Sequence, residues 1–253
     1  MNASGALPLR GRNAVITGGA KGIGLAIARR LAADGPAIAL IGRDVPALEH
    51  TARALGGRYA AADVTDHAAL HAALGSFERR DILVNNAGGA LSIPFTKHQA
   101  DDFRTMFELN VLAAVTACQA VLPEMRARGF GRIINIASTA GLRGYAYAAA
   151  YVAAKHALVG VTRALALETI RDGITVNAVC PGFTDTDLVV RATANIAATT
   201  GRSPADARAA LASSNPAGRL VRPEEVAQAV AFLCHPDAGA MTGQAIAVAC
   251  GEV

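Results

Sequence analysis

Residues 13–24 read N-A-V-I-T-G-G-A-K-G-I-G. A short apolar run, 13–17, passes directly into a glycine-rich loop and then into an apolar-periodic stretch, 22–33. The run predicts a buried strand and the stretch a helix. Glycines at 18, 22 and 24 stand where such a connection turns tightly, brings bare backbone to a ligand and packs a helix on a strand. A helix opening at Gly22 offers unpaired N–H groups and its positive dipole end, which suits a pyrophosphate. Gly18, Lys21, Gly22, Ile23 and Gly24 are therefore candidate nucleotide contacts.

The same alternation continues outward. Runs at 37–41, 59–62, 82–84, 133–137, 175–179 and 245–249 read as further buried strands. Between them lie helical stretches at 45–55, 66–78, 100–128, 149–171 and 223–234. Such βαβ repetition predicts an α/β fold, a seven-stranded parallel sheet flanked by helices on both faces. No linker divides it, so residues 1–253 are expected to form one domain. Only the segment from Phe183 to Arg222 breaks the rhythm. Its alanine-rich residues 187–213 suggest helices over the active face, a mobile substrate lid at about 183–215.

Composition narrows the partners. The chain has 253 residues, 52% of them hydrophobic, and a formal charge of +4. Its basic residues are scattered, which argues against nucleic acid and for small anionic ligands. The stretch Met1 to Gly11 reads as a short polar arm without a signal pattern, and no uninterrupted apolar run approaches membrane-spanning length. Cys118, Cys180, Cys234 and Cys250 are far apart among apolar neighbours and read as buried thiols of a cytoplasmic protein. His67 and His71 would share a helix face but lack a third ligand, so no metal site is expected. Segments 105–122 and 150–168 are apolar or small nearly all round. One face of each can cover the sheet and the other calls for a partner subunit, hence a homo-oligomer.

The ends of the strands carry the polar chemistry. The second closes in A-L-I-G-R-D, with Gly42 where an NAD enzyme places an acid for the ribose hydroxyl. Arg43 and Lys21 could instead clamp a 2′-phosphate, so NADP(H) is expected in preference to NAD(H). Asp44 is the competing acid, and through it NAD(H) stays possible. Asp63 and Val64 follow the third strand at the expected adenine position, while Asp66 caps the next helix. After the fourth strand, Asn85, Asn86, Ala87 and Gly88 should tie neighbouring strands together and leave room for a cofactor.

Three of the four tyrosines, at 145, 147 and 151, crowd ahead of Lys155 in G-Y-A-Y-A-A-A-Y-V-A-A-K, 144–155. Residues four apart lie over one another on a helix, and only Tyr151 acquires a cation this way. A free phenol titrates near ~10 and needs a shift of ~2–3 units to trade protons near neutrality. An ammonium at ~4 Å supplies ~4 kcal/mol at an effective dielectric near ~20. Lys155 is thus expected to lower the Tyr151 phenol. Ser138, ending the fifth strand, can polarise a substrate oxygen. Asn110, a polar break in an apolar helix, suits either a water linked to Lys155 or an interhelical hydrogen bond. Tyr145 and Tyr147 read as aromatic walls of the substrate pocket or as packing beneath the lid.

Together these motifs resemble the short-chain dehydrogenase/reductase family over essentially the whole chain. The matching elements are T-G-G-A-K-G-I-G, Asp63–Val64, N-N-A-G, Asn110, Ser138, Y-V-A-A-K and Pro181–Gly182, with Ser138 thirteen residues before Tyr151. The resemblance implies a Rossmann fold, a catalytic tetrad of Asn110, Ser138, Tyr151 and Lys155, and a tetramer. It further implies that Lys155 contacts the nicotinamide ribose and that Pro181, Gly182, Thr184 and Thr186 lie by the nicotinamide. N-I-A-S-T-A-G and G-I-T-V-N-A-V-C-P-G-F look most like 3-oxoacyl-thioester and polyketide ketoreductases. The expected reaction interconverts a ketone and a secondary alcohol, first a 3-oxoacyl thioester on coenzyme A or a carrier protein. A cyclic, steroid-like or polyol substrate is the alternative, and a non-catalytic nucleotide-binding regulator the rival class. Two features depart from the pattern. Gly129 and Asp172 occupy places where carrier-protein reductases tend to hold arginines, with Arg128 and Arg171 one residue away. The ending T-G-Q-A-I-A-V-A-C-G puts Ala249 and Cys250 in place of a frequent Asp and Gly.

Overall fold

Neighbouring residues of the first strand point into different layers. Ile16 joins Leu40, Val84 and Ile134 in one buried cluster, and Val15 joins Ile41, Leu83 and Ile133 in another. A strand whose side chains alternate between two apolar layers must be covered on both faces. The computed structural model describes residues 7–213 and 215–253. Its strands are β1 (Asn13–Thr17), β2 (Ala37–Gly42), β3 (Arg58–Ala61), β4 (Ile82–Asn85), β5 (Gly131–Ile136), β6 (Ile174–Pro181) and β7 (Ala245–Val248). All pair in parallel in the order β3-β2-β1-β4-β5-β6-β7.

The helices are α1 (Gly22–Ala32), α2 (Val45–Leu55), α3 (His67–Gly75), α4 (Ala100–Phe107), α5 (Ala113–Arg128), α6 (Ala149–Thr169), α7 (Asp187–Thr200), α8 (Pro204–Ser213) and α9 (Pro223–Cys234). The first cluster is closed by Ile27 and Leu31 of α1, Leu48 of α2 and Val230 and Leu233 of α9. On the opposite face lie Leu70 and Leu74 of α3, Val121 and Met125 of α5 and Ala166 of α6. Asp66 caps α3 by accepting from the Ala69 N–H at 3.0 Å, as its position predicts.

Two expectations need correction. The stretch 100–128 is not one α-helix, because a π turn at Glu108–Leu112 separates α4 from α5. The cause is visible at Asn110. Its side-chain amide donates to the Met106 carbonyl at 3.0 Å, taking the acceptor that the backbone N–H of an α-helix would use. Averaged over a window, Ala100–Arg128 is also apolar and long enough to cross a membrane, although no unbroken apolar run is. Half of that window is buried, with α4 packed on α6 and α5 on α3. Finally, the N-terminal arm is not uniformly polar. Residues 1–6 lie outside the described residues, but Leu9 is fully buried and its N–H donates to the Asp34 carbonyl at 3.0 Å.

The segment after β6 does fold into helices. Val189 of α7, Leu211 of α8 and Leu220 form a small apolar cluster against Phe183.

Candidate active site

The strand order reverses direction at β1 and β4, and their carboxyl ends open a crevice there, the usual ligand position in such sheets. Gly18 follows β1 in the left-handed region, φ +64°, a conformation glycine adopts without steric cost. A Cβ on Gly24 would lie 2.2 Å from the Gly18 carbonyl oxygen, so loop and helix touch only because that side chain is absent. Asn86 locks the arrangement. Its amide donates to the carbonyls of Thr17 and Gly18 at 3.0 and 3.1 Å, and its N–H donates to the Thr17 hydroxyl at 3.0 Å. Asn85 donates to Asn135 at 2.9 Å, and Asn135 to Thr162 at 2.8 Å. The asparagines thus tie β1, β4, β5 and α6 together, as the sequence suggested.

In front of this loop lies a cleft of about 750 Å³ lined by Gly18, Lys21, Arg43, Asp63, Val64 and Gly88 among others. Lys21 Nζ sits 2.6 Å from Asp44 Oδ2, while the other Asp44 oxygen caps α2 through the Ala47 N–H. The hydrogen bond from Lys21 holds the Asp44 carboxyl below its ordinary range. Each Asp44 oxygen thus has one protein partner, and the side chain stays 45% exposed at the cleft edge. Arg43 lies 3.3 Å from Asp63, whose other oxygen accepts from the Thr65 N–H and hydroxyl. A Cβ on Gly42 would make only ordinary contacts with Leu48, so the backbone does not forbid an acid there. Arg104, Thr105, Glu108 and Leu109 also line the cleft and were missed in the sequence. Arg104 and Thr105 belong to α4, and Glu108 and Leu109 to the π turn, which no residue pattern announces.

The catalytic candidates converge at the ends of β4 and β5. Ser138, in extended backbone after β5, accepts from the Ala140 N–H at 3.1 Å and stands near the Tyr151 phenol, whose ionised form it favours. Lys155 is buried and donates to the Ile136 carbonyl at 2.9 Å. Its Nζ lies 5.7 Å from the Tyr151 ring centroid. Here the electrostatics differ from expectation. Burial raises the Tyr151 phenol above its ordinary value, and Ser138 nearby only partly offsets this. Lys155 is itself pushed down to about 8 by burial. Desolvation acts against both charges, so the protein alone does not lower the phenol.

Asn110 is buried and grips the loop after β4, donating to the Gly89 carbonyl at 3.1 Å and accepting from its N–H at 3.3 Å. A Cβ on Gly88 would come 2.8 Å from Asn110 Oδ1 and 3.6 Å from Lys155 Nζ. Between Asn110, Asn85, Ile136 and Lys155 is a small cavity of about 10 Å³, room for a single water. Pro181 ends β6 and Gly182 N–H donates to the Val248 carbonyl at 3.1 Å. Thr184 Oγ1 donates to the Gly182 carbonyl at 2.9 Å. Thr186, the N-cap of α7, lies against Gly22 of the glycine loop, 3.3 Å from where a Cβ would stand.

The remaining tyrosines divide. Tyr147 is 63% exposed with φ +64°, so its ring stands in solvent rather than as a covered wall. Tyr145 meets Phe183 edge-on at 6.0 Å and hydrogen-bonds Thr139 and the Glu252 carboxylate. Glu252, 107 residues away, is a further neighbour that sequence spacing could not suggest. At the C-terminus Ala249 packs against the bare Gly182, 3.1 Å from where a Cβ there would stand, and Cys250 turns the chain at φ +53°. Cys118, Cys180 and Cys234 are buried as expected, whereas Cys250 is only half-buried. His67 pairs with Glu108 at 2.6 Å.

The family model for short chain dehydrogenases matches residues 12–197. The chain belongs to the short-chain dehydrogenase/reductase family. It is 40% identical to the ketoacyl reductase 1 assigned to the granaticin polyketide synthase of Streptomyces violaceoruber, over 94% of this chain and 91% of that one. A variant of the actinorhodin polyketide ketoreductase, solved with NADPH, superposes with a TM-score of 0.91 at 35% identity, over 95% of this chain and 97% of that chain. L-sorbose reductase from Gluconobacter frateurii, solved with NADPH and L-sorbose, gives 0.91 at 34% identity over 98% of each chain. The dehydrogenase/reductase fold, an oxidoreductase activity on hydroxyl and keto groups, and NAD(P) binding follow from this membership. The glycine cradle, the bare Gly88 and the cleft beside them fit such a dinucleotide.

Proposed function

We propose that this protein is an NADPH-dependent ketoreductase that converts a 3-oxoacyl thioester into its 3-hydroxyacyl form. One observation carries the reading: a phenol kept protonated by burial stands near Ser138, its ring centroid 5.7 Å from the Nζ of the buried Lys155. A proton donor paired with a hydroxyl is what a ketone needs on becoming an alcohol. The dinucleotide would be held by Gly18, Lys21, Gly22, Ile23, Gly24, Asp63, Val64, Asn86, Ala87, Gly88, Lys155 and the segment Pro181–Thr186. Bound there, it supplies the hydride. Ser138 donates to the carbonyl oxygen as negative charge builds, and Tyr151 gives that oxygen its proton. Lys155, with Asn110 and the one-water cavity beside it, returns a proton to Tyr151. Gly42, Lys21 and Arg43 at the cleft edge support NADPH over NADH.

A second reading, a free polyhydroxylated or cyclic ketone, is favoured by the arginines near the carrier-recognition places. Arg126 is held by Asp172 at 2.8 Å, and Arg128 pairs with Glu124 and lies 3.4 Å from Asp81. Arg126 and Arg128, held by carboxylates of the same chain, are poorly available to a carrier, whereas Arg171 is exposed. Acetoacetyl-CoA, a bicyclic ketone and L-sorbose, each followed by NADPH absorbance, separate the readings. A kcat/KM for the thioester about tenfold or more above the free ketones supports the first. The reverse order moves the assignment to the second. No NADPH oxidation with any ketone removes both and leaves a non-catalytic nucleotide-binding regulator.

A further inference from the structure

Ser138 is aimed by the turn that follows it. Its Oγ accepts from the Ala140 N–H at 3.1 Å, and its carbonyl accepts from the Gly141 N–H at 2.8 Å. The turn thus occupies an acceptor site of the hydroxyl and leaves its proton for the substrate oxygen. Any shift of residues 139–141 carries that hydroxyl with it. On its inner side the turn is held by α6, where a Cβ on Gly141 would lie 2.8 Å from the Lys155 carbonyl oxygen.

The other anchor of the turn is a chain of polar side chains. The buried Thr139 hydroxyl lies 2.6 Å from the Tyr145 phenol, and the phenol donates to Glu252 Oε1. A phenol has one proton and a carboxylate only accepts, so Thr139 donates to Tyr145 and Tyr145 to Glu252. Burial, helped by the bond to Glu252, pushes the Tyr145 phenol up to about 12, so this direction holds across the working pH range. Arg143 closes the ring of contacts. Its N–H donates to the Thr139 carbonyl at 3.0 Å and its guanidinium to the Glu252 main-chain carbonyl at 3.3 Å. The same guanidinium lies over the Tyr145 ring, 5.3 Å from the centroid.

Glu252 comes from beyond β7 and is wedged against a second strand end. Its Oε2 is buried, 3.0 Å from where a Cβ on Gly182 would stand. Tyr145 meets Phe183, the next residue, edge-on at 6.0 Å. The pair therefore braces the loop after β5, which carries Ser138, against the loop after β6.

We propose that Tyr145 and Glu252 are positioning residues: through Thr139 they hold the turn that aims the Ser138 hydroxyl, without touching the substrate themselves. This rests on the ketoreductase reading above and adds to it how the Ser138 donor is kept in place. A misplacement of ~1 Å can cost ~100-fold in rate, so a brace outside the cleft is enough to matter.

The test follows single-turnover NADPH oxidation with the ketone that wild type reduces fastest. Tyr145→Phe, Glu252→Ala and Glu252→Gln are each made in wild type and in Ser138→Ala. Phenylalanine keeps the ring against Phe183 and Arg143 and removes only the hydroxyl. With Ser138 present, Tyr145→Phe and Glu252→Ala should each slow the chemical step about tenfold or more. NADPH affinity should change less than about threefold, since the ground-state cradle is untouched. Glu252→Gln should restore most of the rate, because its side-chain carbonyl still accepts from the phenol. In Ser138→Ala the same changes should cost less than about twofold, as no hydroxyl is left to misplace. Losses of equal size in both backgrounds overturn the proposal and give the pair a general structural role. An unchanged rate in Tyr145→Phe overturns it as well and leaves the ketoreductase reading intact. Should Glu252→Ala fold poorly by circular dichroism, Thr139→Val cuts the same chain one link earlier and takes its place. If wild type oxidises NADPH with no ketone, the ketoreductase reading fails and the proposal with it.

Discussion

Lys155 donates its hydrogen bond to the Ile136 carbonyl at 2.9 Å while its Nζ stands 5.7 Å from the Tyr151 ring centroid. The two residues share a helix face, yet each is desolvated and neither charge is relieved by the other in the protein alone. Burial moves the lysine down and the phenol up. In the protein alone the proton therefore stays on Tyr151.

Burial of Lys155 has a consequence for stability. Its folded-state pKa is about 8, below the ordinary 10.5. Below pH 8 both folded and unfolded chains carry the charge, and the folded state bears the full cost of burying it. Between about 8 and 10.5 the unfolded chain binds the proton more strongly, so stability rises with pH. Lys155→Met removes this term. The stability of wild type relative to the variant, from urea denaturation without cofactor, should rise by ~3 kcal/mol between pH 7 and pH 11. A flat difference would mean that the lysine is not desolvated.

Tyr151→Phe removes the transferable proton and little else. Turnover should drop by at least ~10³-fold, within the range general acid catalysis contributes. NADPH affinity, read by fluorescence titration, should change less than about threefold, since the cradle on β1 and β4 is untouched. Retained turnover would disqualify Tyr151 as the acid.

Much of this site is legible in the sequence because its spacing is local. Gly18 to Gly24 lie on one loop, and Tyr151 and Lys155 one helical turn apart. Asn85 and Asn86 end a strand whose neighbours follow from βαβ order. What the sequence hides is long-range or cooperative. The π turn at Asn110 arises from a side chain competing with its own helix. Glu252 reaches Tyr145 across 107 residues, through a tail whose path depends on Gly182 and Ala249 packing. The direction of the Tyr151 shift was missed because spacing reveals a cation but not the water excluded around it.

Gly88→Ala tests the close approach after β4. The added methyl would lie 2.8 Å from Asn110 Oδ1 and 3.6 Å from Lys155 Nζ. Relief requires the loop or the π turn to shift, at a cost of about 1–3 kcal/mol. Thermal unfolding should register the loss, and kcat/KM should fall about tenfold or more as Asn110 and Lys155 move. Unchanged kinetics would show that the turn yields without disturbing the lysine.

Cofactor preference is testable at the end of β2. Gly42→Asp places an acid where the backbone has room for one. It should raise kcat/KM for NADH relative to NADPH about tenfold or more, by accepting from the ribose hydroxyls and repelling a 2′-phosphate. Arg43→Ala should weaken use of NADPH far more than of NADH. Equal losses with both cofactors would remove Arg43 from phosphate recognition.

The outer face of α6 argues for assembly. Ala153, Gly160 and Ala164 are exposed, and Leu167 is 82% exposed on the same helix. A Cβ on Gly160 would meet nothing within 4 Å, so packing inside one chain does not explain the glycine. A stripe of small residues ending in a bare leucine suits a second helix at close range. Light scattering should give a mass near four times the chain's 25.8 kDa. Leu167→Arg places a charge in that contact and should release smaller species, leaving the fold intact by circular dichroism because the side chain touches solvent in the single chain. A wild type that runs as a monomer would leave the stripe without a partner and remove the tetramer.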